Sequence, residues 1–565
     1  MYVGKVEPVE IPKSGGKTRR NTSGYIWWIT ESKWDNDLGY TKDNRITIGK
    51  EVPGRPGWIY PNNNFFKLFG DKLASEKQLP VRGEFSVLLN YGAYAALHAA
   101  AEKIGCLEVL RQTFPDVCER IFSIALHSID AENSVAQDYS NWIFWNYCGI
   151  SKNYSDSEVS ALYKDIGSRH ESMLDFMRLF REAYFKAVPD SERGVLAFDS
   201  TNQNTSSCGI SLAEFGHAKL NENLPDINTA LFVDEKTSIP LYYEHFYGSL
   251  LDKTETPTTL SKAKELGFQK LFLMMDRGYM SREALNALKK DNKFAVMCPS
   301  NLVFVRELIA ANRQEIKDRE NHYIPSENIY GIHVPGVEYD GEQYDAYVFY
   351  DGVRAQEERE SIHNRLNFWQ ADVMNRKRYS EALRRRYAPY LNVVKTETKD
   401  SEGRNFSVKV NHDKVQEYID DAGYFVILSN AGLPADRMIE IARMRDRGEK
   451  AFRRLKYHFG LTKTYTHSTA TYHGKMFIAF VALIIVESFR YFAKEILKSK
   501  TSMTTKTLLA ELRKYQIRYT KNGKWEPQYA MTASQKRIFK LLDRNSREVT
   551  SAVHKIHLRV QNARV

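Results

Sequence analysis

The sequence predicts an α/β protein, a central sheet flanked by helices, and three observations predict it. Short strand-length runs, GVLAFDST, INTALFVD, IPLYYEHF and LFLMMD, follow one another in the middle of the chain. Helical patterns, TPTTLSKAKELGF and SREALNALKKDN, lie between or after them, and strands followed by helix–strand alternation argue for a sheet with helices on it. Core texture then returns at AGYFVILSN, followed by a helix from about Leu433 to Phe459.

The remaining segments divide by texture. Residues 1–80 are β-rich, with YIWWITESKW and NRITIGK reading as strands separated by turn residues such as Asp35-Asn36 and Asp43-Asn44. Lys13, Lys17, Arg19 and Arg20 form a basic arm or an unstructured start. Residues 81–190 show helical periods, as in FSVLLNYGAYAALHAAAEKIG and ESMLDFMRLFREAYFKAV, and Asp156 with Glu158 marks a helix N-terminus. Residues 191–300 hold the first part of the sheet domain. Residues 301–420 turn irregular, with a strand at YDAYVFYDG and a charged helical stretch, and read as an insertion. Residues 421–493 complete the sheet domain. Residues 494–565 read as a basic helical tail with 17 Lys and Arg against 5 Asp and Glu, so the net charge of +11 is concentrated there.

A pI near 9.0 fits a polyanionic partner, although solvated lysines give the same value. The five cysteines are scattered with no C-x-x-C pair, which excludes a zinc finger and a disulfide framework and fits a reducing compartment. No signal-peptide pattern opens the chain. The longest apolar run, Met476 to Val486, is 11 residues, too short to span a bilayer, and is expected as a buried helix rather than a membrane contact.

Three acids stand out. Asp199 ends the run VLAF, Asp276 ends LFLMM, and Glu449 sits in the helix IARMRDRGEKAFRRLK. Open α/β sheets place ligands at the carboxyl ends of strands. Carboxylates gathered there repel one another unless a cation intervenes, and hard oxygen ligands suit Mg²⁺ or Mn²⁺. Two such ions support in-line phosphoryl transfer. Singly, each acid is equally a cap or turn former. Arg445, Glu449 and Lys456 are spaced four and seven residues apart and share roughly one helix face. Arg277 and Tyr279 follow Asp276 and either orient DNA or cap a turn. The basic–aromatic stretch Arg376 to Tyr390 is either a phosphate contact or a solvated face.

The segments AFDST, LMMDRGY and R-x-x-x-E-x-x-x-x-x-x-K resemble the bacterial insertion-sequence DDE transposases with the Tyr-Arg-Glu-Lys signature, the IS-four superfamily. FGHAKLNENLPDINTALFVDEKTSIPLYYEHFYGS, DAGYFVILSN and YHGKMFIAFVALII are of that type too, so the resemblance spans roughly residues 190 to 490. It implies a ribonuclease-H-like mixed sheet, a metal-binding triad of Asp199, Asp276 and Glu449, and Arg445 and Lys456 as the signature's cations near the transposon-end phosphates. The implied activity is metal-dependent cleavage and strand transfer at the terminal inverted repeats of an insertion sequence, with double-stranded DNA as partner, a homodimer at synapsis and a place with the bacterial nucleoid in the cytoplasm. DNA-end binding is assigned to residues 81–190. The signature tyrosine position is Ala442 here, a departure that bears on DNA-end handling. Trp369, the one tryptophan of the insertion, is either a packing residue or a stacking surface for an extruded base. A metal-dependent nuclease on the same fold, or a transposase-derived DNA-binding protein without catalysis, are the alternatives.

Overall fold

The computed structural model describes residues 8–557 apart from 13–15, 36–38, 74–86, 133–134, 151, 217–222, 269–270, 290–291, 319, 389, 445–452, 455–458, 460–461, 498–503 and 521–522. The chain divides into two units, Met1–Ser86 and Val87–Val565.

In the first unit β1 (Val9–Glu10), β2 (Lys17–Arg20), β3 (Tyr25–Asp35), β4 (Tyr40–Glu51) and β5 (Trp58–Pro61) pair antiparallel in the order β1-β5-β4-β3-β2. Helix α1 (Asn63–Leu73) supplies Phe65 to a core of Ile26, Trp28, Ile48 and Ile59 on one face. Asp43-Asn44, expected as a turn, lies inside β4. The Asp43 carboxylate accepts the Ser32 hydroxyl at 2.7 Å across the strand pair and Arg45 at 3.2 Å, which satisfies a residue otherwise poor at strand formation.

The second unit opens with β6 (Val87–Asn90), where the sequence pattern suggested helix, and continues through α2 (Gly92–Lys103), α3 (Cys106–Thr113), α4 (Cys118–Ala131), α5 (Ala136–Trp145), α6 (Asp156–Ser168) and α7 (His170–Ala187). The start of α6 is a capping box. The Ser155 hydroxyl accepts the Glu158 amide, and the Glu158 carboxylate accepts the Ser155 amide.

The central sheet follows. Its strands are β7 (Leu196–Thr205), β8 (Asp226–Asp234) and β9 (Pro240–Tyr247), then, after α8 (Asp252–Glu265), β10 (Phe272–Met275) and, after α9 (Arg282–Lys289), β11 (Lys293–Met297). Next come α10 (Val303–Asp318), β12 (Tyr323–Ile324), β13 (Ile329–Tyr339), β14 (Glu342–Tyr350), α11 (Gly352–Met374), α12 (Glu381–Tyr387), β15 (Leu391–Lys395), β16 (Phe406–Val410), α13 (His412–Asp421), β17 (Tyr424–Ser429) and α14 (Ala435–Met444). The strand order is β12-β13-β14-β17-β11-β10-β7-β8-β9, with β18 (Lys463–Thr464) added beside β7. Strand β10 is parallel to β7 and β11, and the other neighbours on that path are antiparallel.

Two textures read differently in three dimensions. Residues 323–350, placed within the insertion, extend the central sheet through β12, β13 and β14. The far half of β13 is largely exposed, whereas β14, lying between β13 and β17, buries Ala346 to Phe349 as the middle strands do. The part of the insertion with its own core is 352–421, where Ile362, Leu366, Val373, Tyr387, Leu391, Val393, Phe406 and Val415 cluster.

The basic C-terminal region is likewise more than a helical tail. Beyond α15 (Thr469–Phe492) lie α16 (Thr505–Arg513), β19 (Gln516–Tyr519), β20 (Trp525–Pro527), α17 (Ala533–Leu541) and α18 (Ser546–His554). Strand β19 pairs with β6, and Leu508, Leu512, Ile517, Trp525, Phe539 and Val553 join the main core. Positive charge on the outside masked this buried pattern.

The apolar run at 476–486 is the middle of α15, a 24-residue helix packed on α6, α4 and α2. By length and composition α15 is the one helix among the described residues that would cross a membrane, but it is mostly buried within the protein. It crosses α6 closely at two glycines. A Cβ on Gly474 would sit 1.8 Å from the Tyr163 carbonyl, and one on Gly167 would sit 1.8 Å from that of Ala470.

Candidate active site

The two described acids of the expected triad stand side by side. Parallel pairing of β10 with β7 sets Met275 beside Phe198, so the next residues, Asp276 and Asp199, are in register on strands about 4.8 Å apart. Period-2 alternation puts both on the same side as Met274 and Ala197. Met274 belongs to one apolar cluster with Met438, Ile439 and Ile441, so this is the side of the sheet that α14 covers.

Both carboxylates are partly buried and each already makes one short backbone contact. Asp199 Oδ1 accepts the Ser200 amide at 2.8 Å, and Asp276 Oδ1 accepts the Arg277 amide at 2.7 Å while capping the 3₁₀ turn Arg277–Tyr279. The turn-forming role of Asp276 is therefore real. An ionised carboxylate offers about four lone-pair sites, so capping leaves acceptor capacity for a cation. Two like charges at this separation favour a bound cation or a shared proton, and an all-oxygen pair suits Mg²⁺ or Mn²⁺. Among the described residues no group of three or more His, Cys, Asp or Glu could hold a metal ion. Glu449, Arg445 and Lys456 lie outside the described residues.

The flanks of that stretch are anchored. Upstream, Ala442, at the signature tyrosine position, packs partly buried on the α14 apolar cluster. Arg443 reaches Glu327 at 3.1 Å and Asp351 at 3.2 Å. Downstream, Arg454 pairs with Glu487 of α15, whose side chain is fully buried and also meets Arg490 at 3.2 Å. Burial, helped by the neighbouring Arg490, pulls the Arg454 guanidinium down to about 9. Then β18 pairs with Asn204 and Thr205 at the end of β7.

Asp199 is the fourth of ten residues in β7 and does not end the strand, as its apolar run suggested. Residues 200–205 are polar and buried, and side-chain hydrogen bonds hold Asn202, Gln203, Asn204 and Thr205. Asn202 donates to Asp226 at 2.9 Å, Gln203 accepts the Tyr472 hydroxyl at 2.8 Å, and the Thr205 hydroxyl donates to the Thr464 carbonyl at 3.2 Å. Nearby, His245 is a residue of β9. Its Nδ1 lies 2.8 Å from the Thr229 hydroxyl, and burial holds its imidazole far below the usual range.

The remaining candidates separate. Tyr279 is 2 % exposed with its ring 5.0 Å from that of Phe198. It is a core residue, and a direct DNA contact there is overturned by burial. Arg277 is exposed. Trp369 is half-buried, its ring stacked on Tyr390 at 5.7 Å and against the insertion core, which makes it a packing residue. The sequence reading missed Glu487, although it is the lone acid in the apolar α15, a position that already signals a buried ion pair.

These features make the second unit a mixed α/β domain whose large sheet is flanked by helices and carries two register-matched acids on neighbouring strands. The chain belongs to the Transposase DDE domain family, whose profile matches residues 190–485. No curated protein matches it. Among solved structures it is similar to the cryo-EM structure of a piggyBac transposase synaptic complex with hairpin DNA, at 10% identity over 79% of this chain and 75% of that one. The TM-score is 0.30.

Proposed function

We propose that the protein is an active transposase that cuts DNA at the inverted-repeat ends of its element and joins the 3′ ends to a target. The observation that carries this reading is the register of Asp199 with Asp276 at the carboxyl end of β10. The strand order β9-β8-β7-β10-β11, antiparallel across the first three and parallel across the last three, supports a ribonuclease-H-like core.

In this reading Asp199, Asp276 and Glu449 hold Mg²⁺ or Mn²⁺, two ions in all. When bound, such ions activate a water or 3′-hydroxyl and neutralise charge on the leaving oxygen. The chain's own residues fix the carboxylates. Ser200 and Arg277 amides orient one oxygen of each, and the α14 cluster closes the sheet beneath them. The Arg454–Glu487 pair anchors the chain five residues beyond Glu449. Arg277, Arg445 and Lys456 contact DNA phosphates, and two copies bring the two ends together. Within a bacterial cell such an enzyme works at the nucleoid.

The test is cleavage of duplex DNA carrying the element's own ends, with Mg²⁺ and with EDTA, for the wild type and Asp199→Ala. Metal-dependent cutting and strand transfer, lost in the variant while DNA binding survives, is the expected result. Cutting without strand transfer identifies a nuclease. Binding with no cutting in either metal, unchanged in Asp199→Ala, identifies a DNA-binding derivative and refutes the site.

A further inference from the structure

The first unit's sheet has two unlike faces. One carries the apolar core under α1, and the other is open, basic and aromatic. Pairing of β2 with β3 puts Lys17 and Arg19 in line with Ile29 and Trp27, on the face opposite the core residues Ile26 and Trp28. Across three strands, Tyr25 pairs with Lys50 and Lys50 with Tyr60, giving a Tyr–Lys–Tyr row. Lys50 Nζ lies 5.6 Å from the Tyr25 ring centroid, which fixes both on one side. Tyr25 is 43% exposed and Tyr60 42%.

The next row is Arg19–Trp27–Thr47, and Arg45 lies 5.1 Å over the Trp27 ring. Neither row contains a carboxylate, and among the described residues Lys17, Arg19 and Lys50 form no ion pair with one. Two acids share this face: Asp43, held by Ser32 and Arg45, and Glu10, paired with Trp58 on β5.

Exposed rings interleaved with lysine and arginine across a sheet give a polyanion two things at once. The cations meet phosphates, and the rings meet the flat faces of bases that are not stacked in a duplex. A membrane would require a contiguous apolar patch, and here cations separate the rings.

We propose that this open face binds a DNA strand with unpaired bases. The choice of DNA over RNA rests on the transposase reading, but the face itself stands on the geometry above.

The experiment is fluorescence anisotropy of full-length protein with a labelled single-stranded oligodeoxynucleotide and with its duplex, across a salt series. Replacing both rings, Tyr25→Ala with Tyr60→Ala, is expected to weaken single-strand binding at least about tenfold, the scale of lost stacking. Tyr25→Phe with Tyr60→Phe is expected to keep it, which separates ring stacking from the phenols and from misfolding. Lys50→Ala is expected to lower the slope of log affinity against log salt by about 0.7. Unchanged single-strand affinity in the alanine variant overturns the proposal. So does an equal loss on duplex, which would make the face a duplex contact. Metal-dependent end cleavage, assayed beside it with Asp199→Ala, keeps the two readings apart. Cleavage without ring-dependent strand binding refutes this face alone, and ring-dependent binding without cleavage refutes the enzyme alone.

Discussion

Strand β7 and the hairpin β3–β4 both carry polar side chains on a sheet, yet their surroundings give those groups different standing. In β7 the residues from Ser200 to Thr205 are buried, and Asn202, Gln203 and Thr205 each have a named partner on another element. On the open face of β3–β4, Lys50 and Tyr25 stay exposed and lean on each other. A polar group buried without a partner costs roughly 1–3 kcal/mol, whereas one in water costs little. The difference teaches where each sheet can do chemistry. In the buried one, two acids stand in register on neighbouring strands. In the open one, unburied cations and rings wait for a large partner.

The largest effect expected is at the buried pair. Asp199→Ala and Asp276→Asn should each lower end cleavage by at least about a hundredfold, the scale of losing a central charge-stabilising group. Each should leave thermal stability equal or higher, since one like charge is gone. Cleavage assays and a thermal melt of the same samples check both halves. A variant that loses activity and stability together would make Asp199 a structural residue.

Ion pairs extend the contrast. Glu487 is fully buried between Arg454 and Arg490, whereas Arg20 and Glu51 meet at 2.8 Å with the arginine side chain 64% exposed. Glu487→Ala should cost about 3–5 kcal/mol because it strands buried guanidinium groups. Glu51→Ala should cost at most about 1 kcal/mol. Urea unfolding of both variants measures the ratio, and similar losses would erase the distinction between the buried and the exposed ion pair.

A smaller effect is expected from pH. Burial between Tyr139 and Trp142 pulls the His127 imidazole down to about 4, against the pull of Asp138 and Asp130. Its folded value lies below its unfolded value near 6.5, so above 6.5 it contributes no pH dependence. As pH falls from 6.5 towards 4 the unfolded chain takes up a proton that the folded one refuses, and stability drops by on the order of 3 kcal/mol. His127→Phe should flatten that part of the curve. A slope unchanged by the substitution would assign the acid sensitivity elsewhere, with His245 and His473 the next buried imidazoles to replace.

How much of this was legible follows from the same physics. Asp276 was readable because β10 is a purely apolar run that stops at it, and the helix start at Asp156 and Glu158 was readable because its pattern is local. The length of β7 was not, because Ser200 to Thr205 have no apolar periodicity and are held by partners distant in sequence, among them Tyr472 and Thr464. The fold of the C-terminal region was hidden by its surface charge, since Ile517 and Trp525 are single apolar residues among lysines and arginines. The open face of the first sheet was half visible. Its cations could be counted, but the row Tyr25–Lys50–Tyr60 exists only once three strands are in register.

The smallest effect separates two kinds of aromatic residue. The sequence left Trp369 either a packing residue or a stacking surface, and its ring stacks on Tyr390 with Tyr387 at 6.4 Å. Phe368, beside it, is 69% exposed and points away from that cluster's core. Trp369→Leu removes the ring and keeps an apolar side chain against the same neighbours. It should leave single-strand affinity unchanged, because a ring engaged in packing is not offered to a base. Anisotropy titrations of Trp369→Leu beside the Tyr25/Tyr60 variants decide the matter. Weaker binding in the tryptophan variant would move the base-stacking surface from the first sheet to the insertion.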